Sequence, residues 1–165
     1  MSTLEIVKAV SDEDIKMVTD LATIIWHEHF ASILSPEQID YMVDKFQSYS
    51  AVSGQIAGGY EYYQLILDGE LVGYTGIHDE DGDLFLSKLY IKKDCRGRRL
   101  SSRAFEFLKE LGRERKLGRI WLTCNKYNSH TLDVYKHFGF ETIDAKETDI
   151  GNGFIMDDYI LECRL

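Results

Sequence analysis

LFLSKLYIKKDCRGRRLSSR, residues 84–103, decides the fold. Leu84, Phe85, Leu86, Leu89, Tyr90 and Ile91 form the apolar, aromatic-rich run of a mostly buried strand. Cys95 to Ser102 then crowds Arg96, Gly97, Arg98, Arg99 and two serines into a turn. After it, Ala104, Phe105, Phe107, Leu108 and Leu111 recur at helical spacing. A strand that feeds a helix through a basic turn leaves backbone N–H groups unpaired at the positive end of the helix dipole, which suits phosphate. On the turn alone, a phosphate site and an ordinary turn with solvated arginines both stand.

Charge shifts the balance toward a phosphate site. Residues 88–119 hold 12 of the 19 Lys+Arg against four acids, Asp94, Glu106, Glu110 and Glu114. That segment carries +8; because the whole chain carries −9, the remainder carries −17. A polyanion fits the first part and a cation the second. Lys109, Arg113, Arg115 and Lys116 lie too far along the helix to reach one phosphate cluster and read as a solvated face. The overall −9 argues against a nucleic-acid binder.

Upstream, Leu4 to Val10 reads as a strand. Ser11 with Asp12, Glu13 and Asp14 starts a helix running to about Phe30, with Ile15, Val18, Leu21, Ala22 and Ile25 inward. Ser35 caps a second helix, Pro36 takes its first position and Gln38 the capping-box position, and Ile39, Met42, Val43 and Phe46 form the inner stripe. Ser48 to Gly59 stays open between a frayed helix and a loop. Tyr60 to Leu67 and Glu70 to His78 pair through the hairpin turn Asp68-Gly69. Beyond the central helix, which ends at Gly118, come a strand Arg119–Cys124 and a short helix Ser129–Phe138. Strands Phe140–Glu147 and Phe154–Cys163 close the chain. The expected architecture is α+β, a mixed sheet of about seven strands with about four helices in the order β-α-α-β-β-β-α-β-α-β-β.

A length of 165 residues predicts a single domain. Three widely spaced cysteines, Cys95, Cys124 and Cys163, with no C-x-x-C, predict neither a disulfide framework nor a zinc site and point to a reducing cytoplasm. Acids interrupt the first 25 residues, unlike a signal peptide, and no apolar run approaches the roughly 20 residues of a membrane span. His27 and His29 do not share a helix face and make poor metal ligands, and no metal is expected. Asp79 to Asp83 begins like a calcium loop, but Gly82 is misplaced and Tyr90 stands where a bidentate Glu belongs, so it reads as a turn.

A second stretch carries chemistry. Asn128 begins the short helix, and Tyr135 lies seven residues on, two turns along the same face; Gly139-Phe140 follow. With the basic turn one βα unit upstream, these residues resemble the GNAT superfamily of acyl-CoA N-acyltransferases over about Leu71 to Phe140. Members place an apolar–aromatic–apolar triplet before an Arg/Gln-x-x-Gly-x-Gly/Ala turn, matched by Leu89-Tyr90-Ile91 and by Arg96-Gly97-Arg98-Arg99-Leu100-Ser101. Their later Asn…Tyr…Gly-Phe pattern is matched by Asn128, Tyr135, Gly139 and Phe140, with Thr131 at its small-residue position. Arg99 and Ser101 stand where glycines are usual, so phosphate binding by backbone amides asks for a negative φ at Arg99 and an outward side chain.

The resemblance implies one N-acetyltransferase domain over residues 1–165, with acetyl-CoA as cosubstrate and a small-molecule primary amine as acceptor. It implies neither a nucleic-acid nor a membrane partner, and a homodimer is left open. Leu89, Tyr90 and Ile91 would line the pantetheine, amides of Arg96, Gly97, Arg98, Arg99, Leu100, Ser101 and Ser102 would hold the pyrophosphate, and Asn128 would bond the pantetheine arm. Tyr135 would protonate the departing thiolate. The late-strand position that is often acidic in relatives is Ser87, so the base is sought among Glu28, Glu61 and Asp158. Trp26, Phe30, Glu37, Asp40, Tyr41, Asp149 and Asp157 extend the candidate acceptor surface. Gly153-Phe154-Ile155-Met156-Asp157-Asp158-Tyr159 resembles the bacterial polyamine branch, which implies spermidine or spermine; a peptide or protein amine is the alternative, and a CoA-binding module without catalysis is the rival from another class.

Overall fold

The computed structural model describes residues 3–97 and 99–165. Strands β1 (Leu4–Lys8), β2 (Glu61–Leu67), β3 (Glu70–Glu80), β4 (Asp83–Ile91), β5 (Arg119–Asn125), β6 (Glu141–Gly151) and β7 (Phe154–Arg164) form one sheet in the order β1-β2-β3-β4-β5-β7-β6. The helices are α1 (Asp12–Phe30), α2 (Pro36–Gln47), α3 (Tyr49–Ala57), α4 (Leu100–Glu114) and α5 (Ser129–His137), with a 3₁₀ turn at Lys93–Cys95. Neighbouring strands run antiparallel at β1–β2, β2–β3, β5–β7 and β6–β7, while β4 and β5 are parallel. The sheet is therefore mixed, and the parallel pair is the one joined by α4.

The chain packs as two compact units: Met1–His78 with Lys88–Ala104, and Asp79–Ser87 with Phe105–Leu165. In the first, local signals start the helices. Ser11 and Asp14 close a reciprocal capping box on α1, and the Ser35 hydroxyl accepts from Gln38 N–H above Pro36. Asp68 and Gly69 take φ of 51° and 85°, the left-handed pair that a two-residue hairpin needs between β2 and β3. His27 spans from Thr23 O to Asp40 at 2.7 and 2.6 Å, with the Thr23 carbonyl and then the Asp40 carboxylate raising its pKa.

Within the open stretch Ser48 to Gly59, Tyr49–Ala57 is a helix; the Ser48 hydroxyl caps it by accepting from Ala51 N–H at 3.1 Å, and its remaining support is non-local. Trp26 Nε1 donates to Tyr74 OH at 2.8 Å, and Tyr74 OH donates to Gln47 Oε1 at 2.6 Å. Gln47 Nε2 reaches Tyr62 OH at 3.3 Å, Tyr62 OH donates to Gln55 Oε1 at 2.5 Å, and Gln55 Nε2 donates to Phe46 O at 2.9 Å. This buried chain ties α1, α2, α3, β2 and β3 together, and α3 supplies Gln55 to it. Buried polar groups that bond one another avoid the desolvation penalty of orphans, so the network specifies one packing. Burial raises the Tyr62 phenol to about 12 and the Tyr74 phenol well above its ordinary value.

In the second unit, Phe105, Leu108, Ile120, Leu122, Phe140 and Leu161 make the core. Arg119 bridges Asp83 at 2.9 Å and Glu162 at 2.8 Å, joining β4, β5 and β7 at one end. At the other end of β5, Asn125 is registered with Asp158 of β7, which is in turn registered with Lys146 of β6. Thus β7, last in the chain, is flanked by strands on both sides.

Candidate active site

The first unit holds the strand and turn. Lys92 N–H donates to Val72 O at 2.8 Å, and Thr75 Oγ1 donates to Lys88 O at 2.6 Å, so the backbone groups of Lys88, Tyr90 and Lys92 face β3. By strand alternation, those of Leu89 and Ile91 face the other edge of β4. The Leu89 side chain packs with Ile91 against Leu65, Leu67, Val72, Cys95, Leu100 and Ala104. Cys95 is thus a core thiol. Tyr90 points to the opposite face, its ring 5.5 Å from Trp26 and 5.9 Å from Tyr74.

The turn is closed by its own groups. Cys95 N–H donates to Lys92 O at 3.0 Å, and Arg96 Nε donates to Ile91 O at 3.2 Å. Lys93 N–H donates to Glu28 Oε1 at 3.3 Å, tying the turn to α1. Gly97 has φ 84°, and Arg99 has φ 58°. The expectation of a negative φ at Arg99 is therefore corrected: Arg99 adopts the left-handed conformation that glycine adopts without cost. A helical residue follows, and a left-handed–right-handed pair turns successive N–H groups into one concavity. Among the described residues the first bond of α4 runs from Arg103 N–H to Arg99 O at 3.1 Å, and the N–H groups of Leu100, Ser101 and Ser102 head the helix without an acceptor inside it. These groups fit a pyrophosphate. Among the described residues, Lys93, Arg96, Arg99 and Arg103 have no carboxylate at ion-pair distance, so the turn keeps its positive charge. Arg98, also expected here, lies outside the described residues.

Left-handed geometry costs a residue with a Cβ about 1–2 kcal/mol, offset in part by the extra unfolded entropy of glycine. Arg99→Gly is therefore expected to raise stability by up to about 1 kcal/mol in chemical denaturation. If the amides and not the guanidinium hold the pyrophosphate, CoA affinity should stay within about tenfold, or about 1.4 kcal/mol, by calorimetric titration. A larger loss of affinity, with weaker salt dependence, would assign the binding to the Arg99 side chain.

The second unit holds Asn128, Tyr135 and Asp158. Asn128 is the N-cap of α5, its Oδ1 accepting from Thr131 N–H at 3.4 Å. Tyr135 is buried, with Phe138 and Phe140 set edge-on against its ring. Burial first and the Cys124 thiol second push its phenol well above its ordinary value, so it holds its proton at every working pH. Burial likewise raises the Cys124 thiol to about 12, with Asp158 adding to it. Asp158 is 7% exposed, and its Oδ1 is buried without a hydrogen-bond partner.

The remaining candidates divide by what already holds them. Trp26 is 3% exposed and spends its N–H on Tyr74, while Glu28 is exposed but holds the Lys93 N–H. Glu61 pairs with Lys8 at 3.4 Å and accepts from Tyr63 OH, Asp40 holds His27, and Asp157 pairs with Lys126 at 2.8 Å. Asp149 accepts from Gly151 N–H at 2.9 Å, and Tyr41 lies under the Lys45 ammonium. Phe30 is buried beside Trp26, and Glu37 lies exposed in the first turn of α2. Sequence reading passed over Lys88, whose ammonium sits 6.0 Å from the Trp26 ring and is lowered to about 8 by burial. A lysine inside an otherwise apolar and aromatic strand was the available signal.

The Acetyltransferase (GNAT) family model matches residues 18–140. The chain is 27% identical over 139 residues to an uncharacterized N-acetyltransferase from the pepI 3' region of Lactobacillus delbrueckii subsp. lactis, covering 79% of this chain and 80% of that one. It is 30% identical over 90 residues to the N-acetyltransferase YjgM of Escherichia coli K12, covering 52% and 54%. Its fold matches that of the PaiA N-acetyltransferase of Thermoplasma acidophilum, solved in complex with coenzyme A, with a TM-score of 0.84 at 20% identity over 99% of both chains. The ribosomal-protein-S18-alanine N-acetyltransferase of Escherichia coli shares the fold at a TM-score of 0.69 and 14% identity, over 99% of this chain and 94% of that one. With the family's pattern spanning most of the chain and the fold shared with solved N-acetyltransferases, the protein belongs to the GNAT acetyltransferase family and is an acyl-CoA-dependent N-acyltransferase.

Proposed function

We propose that the protein transfers acetyl from acetyl-CoA to a primary amine by direct attack in a ternary complex, and that the acceptor is a polyamine of the spermidine or spermine kind. Bound acetyl-CoA supplies an activated thioester. The backbone groups of Leu89 and the Ile91 N–H face away from β3 and suit an extended pantetheine arm pairing as an added strand. Because Arg96 already occupies the Ile91 carbonyl, that pairing rests more on Leu89 than on Ile91. The N–H groups heading α4 take the pyrophosphate, and Tyr135 donates its proton to the departing thiolate sulfur.

The observation that carries the polyamine reading is the segregation of charge, +8 over residues 88–119 and −17 elsewhere. Carboxylates at intervals beside aromatic faces suit ammonium groups separated by methylenes. Several of those acids are neutralised in place: Asp40 by His27, Glu61 by Lys8 and Asp157 by Lys126. That neutralisation favours, as the second reading, a peptide or protein amine carrying one positive charge. Cytoplasmic residence is part of the proposal; no described helix is long and apolar enough to cross a membrane.

The test compares kcat/KM for spermidine, for a monoamine of similar length and for a lysine peptide. We expect spermidine to lead by about fivefold, the worth of one further partly exposed ion pair of about 1 kcal/mol. Parity between spermidine and the monoamine would show that the second charge is not read and would end the polyamine reading.

A further inference from the structure

We infer that Asp158 is the base that takes the proton from the acceptor ammonium. The inference deepens the acyl-transfer reading and rests on it. Strand β7 places Asp158 between Asn125 of β5 and Lys146 of β6, with 7% of the residue exposed and Oδ1 unpartnered. An unpaired buried carboxylate oxygen is costly, and a protein that retains one has a use for it or loses stability for nothing. The other acids proposed for this role are occupied, Glu28 by the Lys93 N–H and Glu61 by Lys8. Tyr135 and Asp158 lie in the same compact unit, and Asn125, the register partner of Asp158, directly follows Cys124 on β5.

The charged and titratable groups around Asp158 are Asp157 beside it on β7, Cys124 on β5, Lys126 just past β5 and Lys146 opposite on β6. Burial first and Asp157 second raise its carboxyl to about 6, against a smaller opposing pull from Lys126. A carboxylate of that basicity is ionised at neutral pH and a better proton acceptor than an ordinary one.

The balance is as follows. Asp158 takes one proton from R–NH3+, leaving a nitrogen lone pair that forms the C–N bond as the thioester C–S bond breaks. The sulfur leaves with the C–S electron pair and receives the Tyr135 proton. The nitrogen sheds its second proton to restore the phenol, and Asp158 returns the first to solvent. One amine cation and one thioester become one amide, one thiol and one released proton.

The experiment is Asp158→Asn with spermidine as acceptor, kcat and KM being followed separately from pH 5 to 9. The expected result is a fall in kcat on the order of 10²-fold with KM within about threefold, and loss of the wild-type acidic limb near 6. A loss confined to KM, or an unchanged acidic limb, overturns the assignment. Stability supplies a second readout. The folded pKa lies above the unfolded one, so ionising Asp158 costs stability as pH rises through about 6, and the cost is absent below about 4. The variant's Tm should therefore exceed the wild type's at pH 8, and the gap should close at acid pH. Carbon NMR of the Asp158 carboxyl in the wild type holds the test even if the variant does not fold: titration at the ordinary aspartate value overturns the inference. If spermidine is not a substrate, the polyamine reading fails by itself, and the same comparison is made with the lysine peptide.

Discussion

Tyr135→Phe should lower kcat on the order of 10²-fold while leaving CoA affinity and the fold in place. The substitution keeps the ring that meets Phe138 and Phe140 edge-on and removes only the hydroxyl. Burial holds the phenol protonated well above neutrality, so the proposed donor keeps its proton across the whole working range. A thiol is ordinarily more acidic than a phenol, near 8.5 against 10. Raising the phenol widens that gap, so the benefit comes from a positioned hydrogen bond to the developing thiolate and not from a downhill proton transfer. It follows that any alkaline limb in kcat below about pH 10 belongs to another group. Release of CoA measured in single turnover, with calorimetric titration of CoA as the control, checks the assignment. An unchanged chemical step would remove Tyr135 from the mechanism.

Gly73→Ala should destabilise the protein by about 2–3 kcal/mol and loosen CoA binding by tenfold or more. A Cβ at Gly73 would lie 2.5 Å from Tyr90 O, 3.1 Å from Ile91 Cγ1 and 3.2 Å from Ile91 Cα. The closest of these atoms is backbone, so relief requires β3 and β4 to part and cannot come from one side chain turning. The residues displaced, Tyr90 and Ile91, are those proposed to receive the pantetheine, and Ile91 O is the acceptor that holds Arg96 over the turn. Urea denaturation and calorimetric CoA titration of the same preparation test both halves. A variant with unchanged midpoint and affinity would show that β3 and β4 tolerate separation.

Gly73 marks a point where the linear pattern stops being informative. In sequence, Gly73 is one small residue inside a strand that alternates well enough without it. Its meaning lies in how closely another backbone passes, a distance no local pattern encodes. Arg99 is similar. The turn's composition marks a phosphate site, yet whether Arg99 copies the backbone of the glycine it replaces depends on how the 3₁₀ turn at Lys93–Cys95 delivers the chain to α4.

What the sequence determined by itself is what adjacent residues settle among themselves. The caps of α1 and α2, the left-handed hairpin turn at Asp68-Gly69, the strand-turn-helix of residues 84–103 and the short helix that carries Tyr135 all rest on contacts within a few positions. Periodicity and turn chemistry report such contacts directly. Tertiary structure locked α3 in place: Ser48 caps it locally, but Gln55 ties it to Tyr62 of β2 and to Phe46 O of α2. Tertiary structure alone placed β7 between β5 and β6, and so turned Asp158 from one acid of an acidic strand into a buried carboxyl. It alone set the Lys88 ammonium over Trp26. Desolvation is the common cause: a side chain's chemistry changes when other elements exclude water from it, and those elements lie far away along the chain.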